Sequence, residues 1–576
     1  MKIGLPRHTP KWRLIALVLL WVGPAVVSSH GETIVIGGGS GSLTWDAQYA
    51  AVSVIDLEAM PGFILPTRNG AEDNLSLKLV ERGGTITSPN ARVVLEISQS
   101  TLDGLLVNMA DGRRRAFEMR VPSAIGIIFR IDLGERFGVN RIRFFPREEF
   151  EGYFLKGYEL SLNDGSPDQV TLSGTPDLRV FKREERNLDP VIDIPVPLQF
   201  VRYIEVKQLV RGEWEIDEFE VFGEGFASSA SYTSSVFDQG QPAVFGGLTW
   251  AMETIGEPTK VGATVSTQSG TTPDPEDELT WSGWSPPYPA GTRSEIASPA
   301  PRRYWQFQVQ FRSSDILSAA VVDSIAIEVS PALADSVLGE IWPQSALIGQ
   351  DTELIYWVRS FSSRGFDTLE ISTLAPVEVI RSVRIDGADV AWERTDVPGG
   401  VRIGFPRVVG DRTLEITFDG VALQYNTVFS GKISDSQRPL DLPQVIVAGD
   451  ASSGVLADGD DLSITIQVGG NLIHSLQAVP APFTPNSDGV NDQTTVTYEI
   501  VNLTGDAPIS VEIFDLTGAR RRVLFSGPHS SGRFRRVWDG TDDGGQRLPP
   551  GIYIVRVAIA ADTGTESKTT VAPLVY

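Results

Sequence analysis

The chain has 576 residues, which is too long for one hydrophobic core and suggests about four domains of about 150 residues each. Its 56 glycines, 37 prolines and 41% hydrophobic residues favour a folded, turn-rich, all-β chain over a helical or disordered one. The net charge of −24 argues against nucleic acid as a partner, because nucleic-acid binding requires clustered lysine and arginine.

Residues 1–29 have the pattern of a signal peptide. Four basic residues precede an apolar run at 14–22, and Gly23-Pro24 then interrupts any helix ahead of a small-residue cleavage region. The apolar run is too short for a membrane span, which takes about 20 residues. Cysteine is absent, so neither disulfides nor a lipid-modified cysteine can hold the mature chain. We therefore expect an exported bacterial protein, secreted or on the outer cell surface, without a membrane span.

Residues 30–83 have no clear assignment and are predicted to be a flexible leader. The run at 33–41 is similar to the strand and glycine-rich turn of a dinucleotide-binding fold. In that fold the turn opens a helix whose N-terminus holds the pyrophosphate, whereas residues 42–45 have no helical pattern. A dinucleotide site is therefore not expected.

Residues 84–223 contain alternating segments that predict an antiparallel β-sandwich. In residues 141–144, arginines alternate with Ile142 and Phe144, which places one face of a strand in a core and the other in water. The sequence Asn-Asp-Gly at 163–165 is a turn signal between strands. The predicted strands cover residues 130–134, 140–146, 157–162, 201–206 and 215–223.

The order and spacing of these five segments resemble the discoidin, or coagulation-factor C-type, domain. Leu-Asp-Gly at 102–104 is similar to the early Asp-Gly turn of that family. The resemblance implies a galactose-binding-like jelly-roll sandwich that binds carbohydrate, lipid head groups or protein through loops at one end. It implies no particular binding residue, because those loops carry no fixed motif in the family.

Residues 224–331 predict a second, aromatic-rich β-sandwich, which is similar to concanavalin-like or laminin-like folds. Residues 305–311 alternate large apolar side chains with three glutamines, which is typical of a half-buried strand. Trp281, Trp284 and Tyr288 follow an acidic, proline-rich loop. Such rings either stack on a sugar face or pack inside and between domains, and packing is the more common role.

Residues 332–478 resemble an immunoglobulin-like spacer without a chemical motif. Asp-Gly pairs at 386–387, 419–420 and 458–459 predict hairpin turns. The predicted strands cover residues 367–371, 381–385, 401–405 and 413–418.

Residues 479–576 contain the turn sequence Pro-Phe-Thr-Pro-Asn-Ser-Asp-Gly-Val-Asn-Asp at 482–492, a strand at 511–518 and further turns at 538–544 and 548–553. Together these segments resemble the immunoglobulin-like domain of the flagellar hook-capping protein. Such domains often end exported multi-domain bacterial proteins, including cargo of the gliding-associated (type IX) secretion system. The resemblance implies a C-terminal export or attachment module with secretion machinery as a partner, although the basic residue that tends to end type IX sorting domains is missing.

Asn486, Asp488 and Asp492 surround Gly489 and place oxygen ligands close together in a tight turn, as calcium loops do. The position of the bidentate glutamate of an EF-hand loop is taken by Thr495. The alternative interpretation is that these residues form the turn itself. Calcium is the one cofactor that the sequence suggests. A second acidic turn contains Asp539, Asp542 and Asp543.

Residues for nucleophilic or zinc chemistry are scarce. Of four histidines, only His474 and His529 lie outside the signal region, and without cysteine a zinc site would need both of them. Neither accompanies the Gly-x-Ser-x-Gly elbow of a catalytic serine. Glu213, Glu215 and Asp217 could supply the paired carboxylates of a glycosidase, but a solvated strand end accounts for them better. No catalytic residue is assigned.

These observations favour a secreted or cell-surface, non-enzymatic binding or adhesion protein. Its ligand would be an extracellular carbohydrate or another surface component, held by the discoidin-like sandwich. Two alternatives stay open: an exported glycan-active hydrolase that uses paired carboxylates in residues 224–331, and a structural surface-layer component.

Overall fold

The computed structural model describes residues 31–39, 43–89, 117–119, 122–123, 125–373, 377–424, 426–455, 459–466, 471–503, 505–561 and 564–576. The predicted signal peptide and the Asp-Gly turn at 102–104 lie outside these residues. The all-β prediction is confirmed, because the described chain consists of strands with short 3₁₀ turns. No described helix is long and apolar enough to cross a membrane.

The chain divides into two compact units, the first comprising Glu32–Gln241 and Phe245–Val329 and the second mainly Ser330–Tyr576. The 3₁₀ turns are Trp45–Ala47, Leu75–Lys78, Glu148–Tyr153 and Pro258–Lys260. The strands of the first unit are β1 Glu32–Gly37, β2 Tyr49–Ser53, β3 Ile55–Asp56, β4 Leu65–Pro66, β5 Arg68–Asn74, β6 Thr85–Thr87, β7 Phe117–Met119, β8 Ile128–Phe145, β9 Tyr158–Asn163, β10 Arg179–Glu184, β11 Ile192–Gln208, β12 Trp214–Ile216, β13 Glu218–Phe226, β14 Ser229–Ser234, β15 Phe237–Ile255, β16 Val261–Gly270, β17 Ser294–Glu295, β18 Arg302–Ser313 and β19 Ala319–Pro331.

The discoidin-like sandwich is built around the long strands β8 and β11. Its sheet has the order β10-β9-β11-β8-β13-β5, with β6 beside β8. The first part of β8 pairs with β6 and the last part pairs with β13, so this one strand contributes to both layers of the sandwich. Between these parts Gly134 has φ +83°, and a Cβ there would lie 2.7 Å from the carbonyl oxygen of Arg82. Side chains from both parts, including Ile131 and Ile142, lie in one hydrophobic core.

The structure differs from the predicted leader at residues 30–83. Strand β1 pairs along its whole length with β19, and its Ile34 and Ile36 are buried. Strand β2 pairs with β14, whereas β5 pairs with β13 of the discoidin-like sandwich. A strand whose partner lies far along the chain has no local turn to reveal it, which explains the difference. The discoidin-like strands are therefore inserted between two parts of the second sandwich.

The second sandwich contains an eight-stranded sheet of order β1-β19-β15-β18-β14-β2, in which β16 also pairs with β18 and β17 with β15. The predicted alternation in β18 is confirmed for the apolar side chains, since Trp305, Phe307, Val309 and Phe311 are buried. Gln306 is also buried. Its polar atoms are paired there, because its amide donates to the carbonyl oxygen of Ser234 and its oxygen accepts from Gln268.

The strands of the second unit are β20 Ser336–Trp342, β21 Ser345–Ala346, β22 Asp351–Ser372, β23 Val379–Ile385, β24 Ala388–Asp389, β25 Glu393–Val397, β26 Gly400–Val421, β27 Asn426–Val428, β28 Ser430–Ser434, β29 Gln444–Val445, β30 Val447–Ala448, β31 Ser463–Ile466, β32 Ile473–Val479, β33 Thr494–Ile500, β34 Ala507–Phe514, β35 Arg520–His529, β36 Gly532–Trp538, β37 Gly551–Ala561 and β38 Gly564–Leu574.

The spacer contains longer strands than its sequence suggests. The predicted strands at 401–405 and 413–418 are parts of the single strand β26, which pairs with β22. The predicted turn at 419–420 is wrong, because both residues continue this pairing. The turn at 386–387 is confirmed between β23 and β24, and Asp458 of the third pair lies outside the described residues.

The C-terminal sandwich packs a three-stranded sheet, β32-β33-β36, and a four-stranded sheet, β35-β34-β37-β38, around one core. Its first strand begins at Ile473, ahead of the predicted boundary at residue 479. Ile473 is fully buried in that core and therefore belongs to this sandwich rather than to the spacer.

Candidate functional site

Three loops of the discoidin-like sandwich, residues 146–157, 185–191 and 209–213, are joined to one another and to β12, and we call them the three-loop cluster. The backbone N–H of Asn187 donates to the carbonyl oxygen of Lys156 at 2.9 Å, and its side-chain amide donates to that of Leu155 at 2.9 Å. The N–H of Leu209 donates to the carbonyl oxygen of Gly157 at 2.9 Å. These bonds fix loops that lack regular strand pairing.

The first loop carries two exposed aromatic rings. Phe150 and Tyr153 lie in the 3₁₀ turn Glu148–Tyr153, and their side chains are 37% and 41% exposed. Their ring centroids are 6.2 Å apart, with 55° between the ring planes. Both rings are therefore next to each other at the surface, where they can offer apolar faces to a ligand.

Arg147 connects this aromatic pair to the body of the sandwich. Its guanidinium lies 4.5 Å from the centroid of the Phe150 ring. It also donates from Nε and Nη2 to the two carboxylate oxygens of Glu215, at 3.1 and 2.9 Å. Glu215 lies on β12, is 3% exposed, and also accepts the backbone N–H of Arg147 at 2.9 Å. The two-point ion pair with Glu215 thus fixes the guanidinium of Arg147, and this guanidinium supports the ring of Phe150.

The carboxylates at 213, 215 and 217 do not form a solvated strand end. Glu215 and Asp217 are buried, and the ion pair with Arg147 accounts for Glu215. The two hydrogen bonds from the guanidinium suit this buried carboxylate to hold Arg147 in place. The sequence identified the position of Glu215 and missed its partner.

The aromatic cluster of the second sandwich is largely packed inside. Trp281 and Tyr288 are buried. The indole N–H of Trp281 donates to the carbonyl oxygen of Thr272 at 2.8 Å, and the Tyr288 hydroxyl shares a hydrogen bond of 2.8 Å with Thr267. Only Trp284 of the three is exposed. A sugar platform would need adjacent exposed rings, so core packing explains Trp281 and Tyr288.

Two of the carboxylates in residues 224–331 are held in their charged form. Hydrogen bonds from Arg303 lower the pKa of Asp238, and hydrogen bonds from Arg293 lower the pKa of Glu328 to about 2. The acid of a glycoside hydrolase must instead stay protonated until it transfers its proton to the leaving group. Neither Asp238 nor Glu328 is suited to that role.

A cleft of about 830 Å³ in the first unit is lined by residues of β2, β5 and the following turn. Among its carboxylates, Asp73 accepts the backbone N–H of Gly70 at 2.7 Å, and Glu72 lies 3.7 Å from Arg141. Burial lowers the pKa of Arg82 in this cleft to about 10, against the opposing effect of Glu81. The cleft lacks an exposed pair of rings like the one formed by Phe150 and Tyr153.

Asn486, Asp488 and Asp492 are brought together in an exposed turn. The Asn486 amide donates to Asp488 at 2.9 Å, and Asp488 accepts the N–H of Val490 at 2.8 Å. Asp492 accepts the N–H groups of Ser487 and Gly489 at 2.5 and 2.8 Å. The oxygens thus stabilise the turn, and calcium at this position stays a prediction.

The two histidines outside the signal region lie in the C-terminal sandwich, on β32 and β35. The His529 ring stacks between Phe525 and Phe534, with centroids 4.2 and 4.0 Å away. Burial, and then the charge of Arg536, lower the pKa of His529 below its ordinary value. His529 is therefore part of a stack of three rings. In the described chain, no cluster suited to a metal ion contains a histidine.

Comparison with family models identifies the C-terminal sandwich. Residues 487–563 match the FlgD Ig-like domain. These residues lie in the sandwich formed by the three-stranded and the four-stranded sheet. The FlgD Ig-like domain covers a small part of the chain, and among curated proteins none matches the sequence.

Several solved structures of carbohydrate-binding modules match about a quarter of the chain. A family 32 CBM from C. perfringens in complex with galactose has 15% identity and a TM-score of 0.19, with 25% of this chain and 96% of that chain covered. A chitosan-binding module from Paenibacillus sp. IK-5 has 19% identity and a TM-score of 0.20, with 26% and 100% covered. A fucose-binding module from Streptococcus pneumoniae has 17% identity and a TM-score of 0.19, with 29% and 100% covered. Similarity at this level does not identify a ligand for the present chain.

Proposed function

We propose that this protein is a secreted or cell-surface binding protein that holds an extracellular carbohydrate at the three-loop cluster of its discoidin-like sandwich. The observation that supports this proposal is the adjacent pair of exposed rings, Phe150 and Tyr153. Sugar rings have an apolar face of C–H groups, which packs on an aromatic ring and is removed from water there.

The second argument concerns rigidity. A binding site gains affinity when its side chains are already ordered before the ligand arrives, because less conformational entropy is lost on binding. The support of Phe150 by Arg147, and of Arg147 by the buried Glu215, supplies this order. Sugar hydroxyl groups need polar partners around the rings, and the exposed Lys156, Arg186 and Arg211 lie on the same three loops.

The role that we propose for the C-terminal sandwich is a different one. Its match to the FlgD Ig-like domain supports a module for export or attachment, joined to the binding part through the spacer. The binding function itself requires no catalytic residue. A structural surface-layer role would require neither the exposed rings nor their support.

A glycan array tests the proposal with the full chain. We expect selective binding by the wild-type protein, loss of that binding in F150A and in Y153A, and retention in F181A. Phe181 is a matched control, because it lies on β10 of the same sandwich and is also 37% exposed. Binding that is absent in the wild type, or that survives in both ring variants, would contradict the proposal. Release of shorter sugars from the bound glycan would instead support the hydrolase alternative.

A further inference from the structure

Glu340 of the spacer is a buried carboxylate that forms no salt bridge within the described part of the chain. It lies on β20, where Val337 and Ile341 face the core, and it points to the opposite side of the sheet. Its side chain is nevertheless 1% exposed. One carboxylate oxygen accepts the N–H of Ala451 at 3.1 Å, whereas the other, Oε1, has no hydrogen-bond partner among the described residues. A buried charge with an unpaired oxygen requires an explanation.

Two further carboxylates lie beside Glu340. One oxygen each from Glu340, Asp450 and Asp460 lies within 4.8 Å of the others. The chain positions them through its backbone, since β30, which ends two residues before Asp450, pairs in parallel with β20. The N–H of Ile341 donates to the carbonyl oxygen of Asp461 at 2.9 Å, which fixes the neighbour of Asp460.

The nearby Arg359 lies on the same face of the sheet as Glu340, but its guanidinium donates to the hydroxyl of Ser453 at 2.8 Å. In the described part of the chain, no salt bridge from lysine or arginine reaches Glu340, Asp450 or Asp460. Like charges at this separation repel one another, most strongly where one of them is shielded from water. A cation between them would remove the repulsion and supply the partner that Oε1 of Glu340 lacks.

We propose that Glu340, Asp450 and Asp460 bind a calcium ion. Calcium takes oxygen ligands at about 2.3–2.6 Å, so two ligands on opposite sides of the ion are separated by up to about 5 Å. One oxygen of each of the three carboxylates lies within 4.8 Å of the others, which satisfies this limit. Magnesium requires a near-ideal octahedron and is usually bound through only one or two carboxylates, so a set of three carboxylates favours calcium. Water and backbone carbonyl oxygens would complete the coordination. The ion would tie the segments around Asp450 and Asp460 to β20.

Isothermal titration of the chelator-treated full chain with calcium chloride tests this site. We expect D460N to lose one bound calcium ion per chain, or to bind it at least about tenfold more weakly, since substitutions outside the ligand shell already cost about 10–100-fold. Asp460 is exposed, so this variant should fold. D389N is the matched control, because it removes the same charge from an exposed residue of the spacer. D488N, at the turn that the sequence predicts to bind calcium, separates the two sites and should retain the ion at Glu340.

Terbium luminescence gives a second readout. Trp357 is the cross-strand partner of Glu340 and therefore lies on the same face of the sheet. Terbium bound at the cluster should be sensitised by this indole, and W357F and D460N should each lower the emission, whereas D488N should not. Calcium titrations that are identical in the wild type and D460N, or no calcium binding by the wild type, would overturn the proposal. Loss of the ion in D488N but not in D460N would assign it to the other turn and would also overturn it.

Discussion

Arg147 and Glu215 form a two-point ion pair that joins a loop of the discoidin-like sandwich to strand β12. Glu215 is buried, and the side chain of Arg147 is 23% exposed. The same guanidinium lies over the ring of Phe150. One buried carboxylate therefore controls the position of an exposed ring that we place in the binding site.

The E215Q variant tests this control. Replacing the carboxylate by an amide removes charge-assisted bonds to Arg147, and we expect a loss of about 1–3 kcal/mol in the stability of the sandwich. Glycan binding should weaken as well, because Phe150 loses its support. E159Q is the control, since Glu159 pairs with the half-exposed Arg183 in the same sandwich and such pairs contribute about 0–1 kcal/mol. Equal thermal unfolding midpoints and equal glycan affinities of E215Q and E159Q would show that Arg147 does not depend on Glu215.

Strand β1 should be required for the second sandwich. Ile36 is fully buried and pairs with Ile325 of β19. A charged side chain there has to be desolvated without a partner, so I36D should destabilise this sandwich by several kcal/mol and make it sensitive to limited proteolysis. Thr33 lies on the same strand and is exposed, so T33D should be close to wild type. Equal protease resistance of I36D and T33D would mean that β1 is dispensable.

Asp435 should govern the acid stability of the spacer. Its burial opposes ionisation, but hydrogen bonds from Arg407 and Arg438 outweigh it and lower the pKa of Asp435 to about 2. Because the folded-state pKa lies below the ordinary value of 3.8, this stabilisation is complete above that value and is lost as the pH falls towards 2. D435N should therefore destabilise the spacer by about 3–5 kcal/mol at neutral pH, because it leaves the two arginines without their carboxylate.

Comparison of D435N with D389N checks this prediction. Asp389 pairs with Arg384 at the surface, where the side chains are 76% and 43% exposed, and its loss should have little effect. The difference in stability between wild type and D435N should be smaller at pH about 2.5 than at neutral pH, because the unfolded chain, with its ordinary pKa, then binds the proton more readily. A difference between the two proteins that stays constant over this range would contradict the assignment of the pKa shift to Asp435.

The sequence predicts locally determined features well. The alternation of Ile142 and Phe144 with arginines marks a strand correctly, because burial of one face has a period of two. The C-terminal domain was also recognisable, since its turn residues follow one another closely along the chain. Long-range pairing was not predictable: β1 has its partner in β19, and no pattern within residues 32–37 indicates which strand that is.

The functional residues were harder to find for a related reason. Trp281 and Tyr288 are aromatic residues next to a polar loop, and so are Phe150 and Tyr153, but only the second pair is exposed. Exposure depends on which segments pack over a ring, and sequence alone does not give that. The partner of Glu215 lies 68 positions away and became visible only in the fold. Glu340 likewise occupies a polar position of an alternating strand, and its burial under residues around Asp450 was not predictable.

Isothermal titration of the full chain with the glycan that binds best on the array measures how much Phe150 and Tyr153 contribute to carbohydrate binding. Removal of both rings in the double variant F150A/Y153A should cost about 1–3 kcal/mol of binding free energy, which corresponds to an increase in Kd of about 5- to 150-fold. F181A should bind as the wild type does. A double variant that keeps the wild-type Kd would show that Phe150 and Tyr153 do not bind the glycan.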